Sequence, residues 1–198
     1  ARLEHKLGIK ASDTAVIRFE DCRIPASFLL GSPEVDVKKG FGGVMQTFDN
    51  TRPMVAAMAV GVSLAALEEL RKLLEDAGLE IDYDRPAADQ PAAVAEFIRM
   101  EADYEAAYLL SIRAAWMADN KMPNSLEASM SKAKAGRTGT DVTNKAVELA
   151  STYGYSERSL LEKWARDSKI LDIFEGTQQI QQLIIARRIL GKSSAELK

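Results

Sequence analysis

One acidic residue in this sequence is placed where it could do chemistry. In "LDIFEGTQQIQ", residues 171–181, Glu175 stands directly before a Gly-Thr pair, with helix-forming sequence on both sides. Gly176 permits a left-handed or otherwise strained backbone, and the hydroxyl of Thr177 can cap the second helix. The free N–H groups at that helix start favour an anion or a phosphate-bearing group. The spacing therefore predicts a carboxylate held on a rigid hinge beside an anion site.

The neighbours of Glu175 allow two interpretations of this carboxylate. Phe174 and the isoleucines around it are apolar and would desolvate the carboxyl group, as a general base working near neutral pH requires. The alternative is a solvated turn residue, because acids in strongly perturbed environments are the minority. From the residues alone, both interpretations stay open.

Composition limits the other kinds of chemistry. The chain has one cysteine, Cys22, and one histidine, His5, which lies near the N-terminal end. An internal disulfide is thereby excluded, and we expect no metal site, no Cys-His nucleophile pair and no Ser-His-Asp triad. Proton transfer would fall to carboxylates, or a cofactor would supply the reactivity.

Composition also bounds the partners. With 198 residues, 46% of them apolar, the chain can bury a core as one domain with a small appendage. The formal charge is −3, and the 26 basic and 29 acidic residues are well mixed, so we expect no nucleic-acid partner. We also expect no membrane span and no secretion signal, because no apolar run reads as long enough to cross a bilayer. These features predict a soluble protein.

The sequence pattern changes once, near Gly40. Before it, "SDTAVIRFED" at 12–21 is rich in β-branched and aromatic residues and predicts one strand or two. A lone strand leaves backbone groups unpaired, so we expect a missing domain to supply the rest of its sheet. After Gly40 the pattern is helical. We predict a mainly α fold, an antiparallel up-down helix bundle preceded by a short β segment, with domains at 1–39 and 40–198.

The helix signals give approximate bounds. The first long helix is predicted to begin at Asn50 or Thr51, with Pro53 in its first turn, and to end before Gly78. The second helix is predicted from about Pro91 to Asp119 and should bury one face that carries apolar residues at helical spacing; we expect Phe97, Tyr104, Tyr108 and Ala115 there. The later helices are predicted at 125–150, at 158–173 and after Thr177.

Three stretches resemble the acyl-CoA dehydrogenase family. "RDSKILDIFEGTQQIQQLIIAR", residues 166–187, resembles the family's final motif without a gap. "KLGIKASDTAVIRFEDCRIPASFLLG", residues 6–31, is similar to the end of the middle β domain. "GFGGVMQTFDNTRPMVAAMAVG", residues 40–61, is similar to the opening of the C-terminal helical domain, especially in medium-chain members. The family's N-terminal helical domain and most of its β domain have no counterpart here.

The resemblance implies an activity and a base. Glu175 would remove the α proton of an acyl-CoA thioester while FAD takes a hydride from the β carbon, leaving a trans-2-enoyl-CoA. The enolate-like charge on the carbonyl oxygen would be stabilised by the base's own backbone N–H and a ribityl hydroxyl of FAD. In some relatives the base lies on the first helix, but Thr51 occupies that position here.

The resemblance also implies roles for neighbouring residues. Phe174, where relatives often carry tyrosine, and Gly176 would contact the substrate. Arg52 would organise the substrate-side pocket, with Asp49 as a further substrate-binding candidate; the alternative for Arg52 is a surface ion pair. The cofactor-binding residues would be two, Thr177 and Gln179.

Two departures from the family pattern bear on partners. The R-x-x-F-G motif expected after the first helix is absent from "LEDAGLEIDYDRP", residues 74–86. Ser151 and Thr152 replace the paired glycines of L-G-G-x-G-Y, and a β-carbon at each obstructs close backbone contact. In the family both motifs contact a neighbouring subunit's FAD, whereas the residues around Glu175 are intact. We therefore expect a tetramer, homo- or heteromeric with the heteromer favoured, and fewer FAD than subunits.

The resemblance carries further expectations and leaves alternatives. The electron acceptor would be electron-transfer flavoprotein, in the bacterial cytoplasm or, in a eukaryote, the mitochondrial matrix. This chain by itself should be inactive and poor in FAD, because most of the β domain is missing. One alternative is a non-catalytic helical oligomerisation module or structural subunit. Another is an acyl-CoA oxidase, whose reduced flavin meets oxygen directly.

Overall fold

The chain folds as a helix bundle preceded by a small β segment, as predicted. The computed structural model describes residues 2–31, 33–34, 37–193 and 196, without the side chains of 37–44. The outermost residues of the predicted domains, 1 and 197–198, lie outside this range. The elements in chain order are β1 (Arg2–Leu3), β2 (Ala15–Val16), a 3-10 turn (Ala26–Phe28), α1 (Val37–Asp76), a 3-10 turn (Ala87–Asp89), α2 (Ala92–Asp119), α3 (Ser125–Leu149), α4 (Ser151–Gly154), α5 (Leu161–Ser168), a 3-10 turn (Lys169–Asp172) and α6 (Gln178–Leu190).

The β segment is anchored to α5. Strands β1 and β2 pair antiparallel, with Arg2 opposite Val16, so the predicted strand at 12–21 is reduced to two residues that pair within this chain. The backbone N–H of Ile9 donates to Asp167 Oδ1 at 2.6 Å, and Arg166 Nη1 donates to the Leu7 carbonyl at 3.2 Å. These contacts fix the segment against the bundle.

Helix α1 begins earlier than predicted. It starts at Val37, so Pro53 lies in the helix interior and not in the first turn. A proline there removes the hydrogen bond to the carbonyl four residues back, which is that of Asp49. The side-chain amide of Asn124 donates to this carbonyl at 3.4 Å, which helps α1 to continue past Pro53. The predicted domain boundary at 39 and 40 falls inside α1 and stays a prediction.

The other helix bounds agree more closely with the sequence. Helices α2 and α3 begin and end within one residue of their predicted limits. Helix α1 ends at Asp76, and Gly78 follows with φ +74°. The helix predicted at 158–173 is divided into α5 and a 3-10 turn, which redirects the chain before Glu175.

Helix α3 lies at the centre and contacts every other helix of the bundle. Its inward face is made of small residues, among them Ala135, Gly136 and Gly139, which allow neighbouring helices to approach closely. The prediction for the buried face of α2 is right for Phe97 but wrong for Tyr108 and Ala115, which are exposed. The core uses smaller residues at those levels: Ala107, Ser111 and Ala114.

One helix is apolar enough to be a candidate membrane span. Within the described residues, Met45–Asp76 is long and apolar enough to cross a membrane by length and composition alone, contrary to the expectation from the sequence. Half of its most apolar window is buried inside the bundle, and α1 packs on α2 and α3. This burial is that of a core helix.

Candidate active site

Glu175 lies at a sharp corner between a 3-10 turn and α6. Its own φ is +60° and that of Gly176 is +96°, so two successive residues take the left-handed conformation. Only Gly176 was expected to do so, and this conformation costs a non-glycine residue on the order of 1 kcal/mol. The Gln181 amide donates to the carbonyls of Glu175 and Gly176 at 3.1 and 3.0 Å, and Lys132 Nζ donates to the latter at 2.7 Å. The corner is thus held from inside the bundle.

The carboxylate of Glu175 is oriented by α1. Thr51 Oγ1 donates to Glu175 Oε2 at 2.7 Å. The hydrogen bond joins the first long helix to the corner, and it fixes one carboxylate oxygen while the group stays partly exposed. Partial exposure lets a substrate approach the acid.

Arg52 brings a buried positive charge to the same place. Its side chain is 4% exposed and pairs with Asp49, Nη1 to Oδ1, at 2.7 Å, so a surface ion pair is excluded. Burial lowers the pKa of Arg52, and the carboxylates of Asp49 and Glu175 oppose that change. Arg52 also lies over the Phe48 ring, 5.7 Å from its centroid. The guanidinium is therefore fixed close to Glu175.

These groups open on a cavity of about 800 Å³ between α1 and α6. One end holds Glu175, and the middle is apolar. The other end carries three basic side chains from the end of α6 and just beyond it. The residues that line the cavity are Met45, Phe48, Asp49, Arg52, Ser125, Glu175, Gly176, Ile180, Leu183, Ile184, Arg187, Arg188, Gly191 and Lys192.

The predicted site residues divide into two groups. Glu175, Gly176, Arg52 and Asp49 share the cavity. Phe174 is not among the residues that line it, and its side chain is 37% exposed. The cavity therefore gains its apolar wall from α1 and α6.

The predicted cofactor residues lie at the start of α6, outside the cavity wall. Thr177 takes the N-cap position, but its hydroxyl makes no capping hydrogen bond, contrary to our expectation. That hydroxyl and the first N–H groups of α6, which a helix leaves unpaired, are donors that suit a phosphate or ribose. Gln179 is exposed beside them. The residues present thus fit a group such as FAD.

Sequence reasoning missed several residues of the site. It noted Thr51 as a possible helix start and as the place of an absent acid, but not as a partner of Glu175. It did not single out Lys132, which is 1% exposed. Burial lowers the pKa of Lys132; the carboxylates of Asp172 and Glu175 oppose that effect and Arg52 adds to it. The sequence analysis also missed Arg187, although Ile180 and Arg187 are seven residues apart and therefore share a helix face. Among the described residues, no group of His, Cys, Asp and Glu side chains is arranged to hold a metal ion.

Comparison with known proteins identifies a family for this chain. A family model described as "Acyl-CoA dehydrogenase, C-terminal domain" matches residues 38–190. The mitochondrial short-chain specific acyl-CoA dehydrogenase of Mus musculus is 37% identical over 94% of this chain and 44% of its own length. The CarC subunit of the caffeyl-CoA reductase-Etf complex of Acetobacterium woodii is 35% identical over 96% of this chain and 48% of its own.

Solved structures agree as well. The butyryl-CoA dehydrogenase of Megasphaera elsdenii superposes with a TM-score of 0.83 and 31% identity, over 96% of this chain and 48% of that one. The chain thus spans about half the length of the relatives it matches.

Proposed function

Because the chain belongs to the acyl-CoA dehydrogenase family, as its C-terminal domain, we propose that within the full-length protein it supplies the base for α,β-dehydrogenation of an acyl-CoA thioester to trans-2-enoyl-CoA. One observation carries the proposal. The Glu175 carboxylate, oriented by Thr51, stands at one end of a cavity whose other end is basic. An acid and a set of cations at opposite ends suit a substrate with a reactive thioester and a distant anionic group.

Several residues of this chain would each have a separate role in proton removal. Glu175 Oε2 is engaged by Thr51, so Oε1 takes the α proton. The backbone N–H of Glu175 stabilises the negative charge that develops on the thioester oxygen. Gly176 lets the thioester approach the backbone. Arg52, fixed by Asp49, keeps a positive charge beside the reacting groups. The substrate contact expected of Phe174, which does not line the cavity, stays a prediction.

The basic end of the cavity accounts for the CoA portion. Arg187, Arg188 and Lys192 line it, and guanidinium and ammonium groups bind phosphates. The rise from the first residue of α6 to Arg187 is about 14 Å at 1.5 Å per residue. The phosphates of CoA would occupy this end while the thioester reaches Glu175.

The cofactor would lie at the N-terminus of α6. Thr177 and Gln179 would hold FAD there through the hydroxyl, the side-chain amide and the helix N–H groups. When bound, FAD supplies the hydride acceptor for the β carbon. This chain by itself, which spans about half the length of the relatives it matches, should hold little FAD and be inactive.

Two features bear on the partners of the full-length protein. Ser151 has φ +52°, so a serine occupies a left-handed position that favours glycine. This supports a heterotetramer in which another subunit completes the flavin contacts. Native mass spectrometry of the purified assembly tests it, and a homotetramer with one FAD per chain would contradict it. A relative named as part of an Etf complex supports electron-transfer flavoprotein as the acceptor, and relatives named as mitochondrial or bacterial support a matrix or cytoplasmic location.

The proposed function is tested by anaerobic bleaching of the flavin absorbance with a panel of acyl-CoAs. Full-length wild type is compared with Glu175→Gln and with Glu105→Gln, a control at an exposed position on α2. We expect Glu175→Gln to keep FAD and lose bleaching, and Glu105→Gln to match wild type. If Glu175→Gln bleaches like wild type, the chemistry lies elsewhere and this chain is a structural subunit. Stopped-flow reoxidation under air separates a dehydrogenase from an oxidase.

A further inference from the structure

Lys132 is a buried cation to which the proposed reaction gives no role. It lies on α3 with 1% of its surface exposed, among the largest fully buried side chains of the described residues. Burying a lysine is costly unless its nitrogen finds polar partners. Its Nζ donates to the Gly176 carbonyl at 2.7 Å. The partner of this lysine is thus the backbone of the corner that carries Glu175.

The corner has a conformation that needs external support. The φ values of Glu175 and Gly176 are +60° and +96°, and a non-glycine residue rarely adopts the first of these. Gln181 from α6 and Lys132 from α3 bind the Gly176 carbonyl together. In a trans peptide the N–H points opposite to the C=O. A carbonyl held inward therefore turns the N–H of Thr177 away from Lys132 and sets the direction in which the chain leaves Glu175.

The electrostatic surroundings agree with this role. Asp172, Arg52 and Glu175 are the charged groups that act on Lys132. Within the described part of the chain, Asp172 is buried and its Oδ1 has no hydrogen-bond partner. The charges of Asp172 and Glu175 therefore favour the ammonium form of Lys132, whose hydrogen bond joins α3 to the corner.

We propose that Lys132 is a positioning residue for Glu175, because its hydrogen bond to the Gly176 carbonyl holds the left-handed corner that aims the carboxylate. The inference rests on the proposed role of Glu175 as the base. A displacement of about 1 Å at a reacting group can lower a rate on the order of 100-fold. Loss of the Lys132 nitrogen should therefore slow proton abstraction 10- to 100-fold and leave substrate affinity nearly unchanged.

The test measures proton transfer separately from hydride transfer. Acetyl-CoA has an α carbon but no β carbon, so it can exchange its α protons with solvent and cannot be dehydrogenated. Full-length, FAD-loaded protein is incubated with acetyl-CoA in D₂O, and deuterium incorporation is followed by mass spectrometry. The variants are Lys132→Met, whose side chain ends at the level of the lysine Cε and carries no ammonium, and Lys134→Met, a control on the same helix whose lysine pairs with Asp103 at the surface.

We expect the maximal exchange rate of Lys132→Met to fall 10- to 100-fold, with the half-saturating acetyl-CoA concentration and the flavin spectrum unchanged. Lys134→Met should exchange like wild type. Equal rates in Lys132→Met and wild type would overturn the inference, and so would a change in half-saturating concentration alone. If Lys132→Met does not retain FAD, Lys132→Gln decides, because its amide is too short to reach the Gly176 oxygen; an unchanged rate there overturns the inference equally.

The two proposals fail in different ways. If wild type neither exchanges acetyl-CoA protons nor bleaches with any acyl-CoA, the proposed function itself is wrong, and the role of Lys132 falls with it. If wild type is active and Lys132→Met exchanges acetyl-CoA protons as fast as wild type, the proposed role of Glu175 stands and Lys132 does not position it.

Discussion

Thr51 and Glu175 are 124 residues apart in the chain and joined by a hydrogen bond of 2.7 Å, from Oγ1 to Oε2. The resemblance to the family offered two places for the base, the first long helix at Thr51 and the corner at Glu175. The structure brings these two positions into contact, and Glu175 also lines the cavity. The threonine at the position without an acid thus orients the carboxylate at the other position.

Thr51→Val should remove this orientation while keeping the shape of the side chain. We expect the rate of flavin reduction to fall about tenfold, equivalent to about 1.4 kcal/mol. Thr51→Ser, which keeps the hydroxyl, should stay within about twofold of wild type. Stopped-flow reduction by acyl-CoA measures the rate, and a valine variant that is reduced as fast as wild type would contradict the prediction.

Gly136 on α3 packs against the 3-10 turn that leads into Glu175, and its replacement by alanine should destabilise the protein. A β-carbon there would lie 2.9 Å from the Leu171 carbonyl oxygen and 3.1 Å from the Asp172 Cα, so Gly136→Ala must push the 3-10 turn away from α3. We expect a loss of about 1–3 kcal/mol in stability and lower activity, because that turn leads into Glu175. Thermal unfolding and flavin reduction of the full-length protein measure the two effects.

Gly139, one helical turn further along, provides the matched control. Its β-carbon would meet Ala59 at 3.4 Å, which is an ordinary contact, and alanine has the higher helix propensity. Gly139→Ala should therefore be neutral or slightly stabilising. If Gly136→Ala and Gly139→Ala lost equal stability, general helix packing would explain the effect, and the close contact between Gly136 and the 3-10 turn would not.

Much of the fold could be predicted from the sequence because local signals set it. Caps and breakers marked the limits of α2 and α3, and Gly78 marked the end of α1. The start of α1 could not be predicted this way. The signal at Pro53 is usually a helix start. Proline leaves the Asp49 carbonyl without its usual partner, and this carbonyl accepts a hydrogen bond from Asn124, 75 residues further along the chain.

The candidate site was predictable where it is local and not where it depends on packing. The acid, the glycine and the helix start around Glu175 are consecutive in the sequence. The bonds from Thr51 and Lys132 come from other helices, and nothing in their local sequence indicates which atom they reach. Tyr108 was predicted to be buried and is exposed. Helical spacing alone does not say which of two apolar helix faces is covered by the rest of the bundle.

Arg187 should bind the anionic end of the substrate. It lines the cavity at the far end from Glu175, so it should contribute equally before and during the reaction. We expect Arg187→Gln to raise KM for acyl-CoA about tenfold and to leave kcat nearly unchanged. An acyl-pantetheine without phosphate groups provides the control, since its KM should not differ between wild type and variant. If Arg187→Gln raised the KM for acyl-CoA and for acyl-pantetheine equally, Arg187 would have a structural role.

Asp167 should make the attachment of the N-terminal segment depend on pH. Partial burial disfavours its charge, but hydrogen bonds from Lys163 and from the Ile9 N–H outweigh that effect and hold the pKa of Asp167 below its usual value. A lowered folded-state pKa means that the stabilisation is complete above the unfolded value of about 3.9 and is lost as pH falls through the folded value. Asp167→Asn should therefore loosen the segment at pH 7, by about 1 kcal/mol, and approach wild type below about pH 4.

Hydrogen exchange of residues 2–16 in the full-length protein, corrected for the intrinsic effect of pH, measures this difference directly. At neutral pH the Asp167→Asn variant should exchange about fivefold faster at the Ile9 amide, the fold-change that corresponds to about 1 kcal/mol. Asp103→Asn, which removes a surface ion pair with Lys134, should leave this segment unchanged. If the difference between Asp167→Asn and wild type is the same at acidic and neutral pH, the charge of Asp167 is not what holds the segment, and shape alone accounts for its attachment to α5.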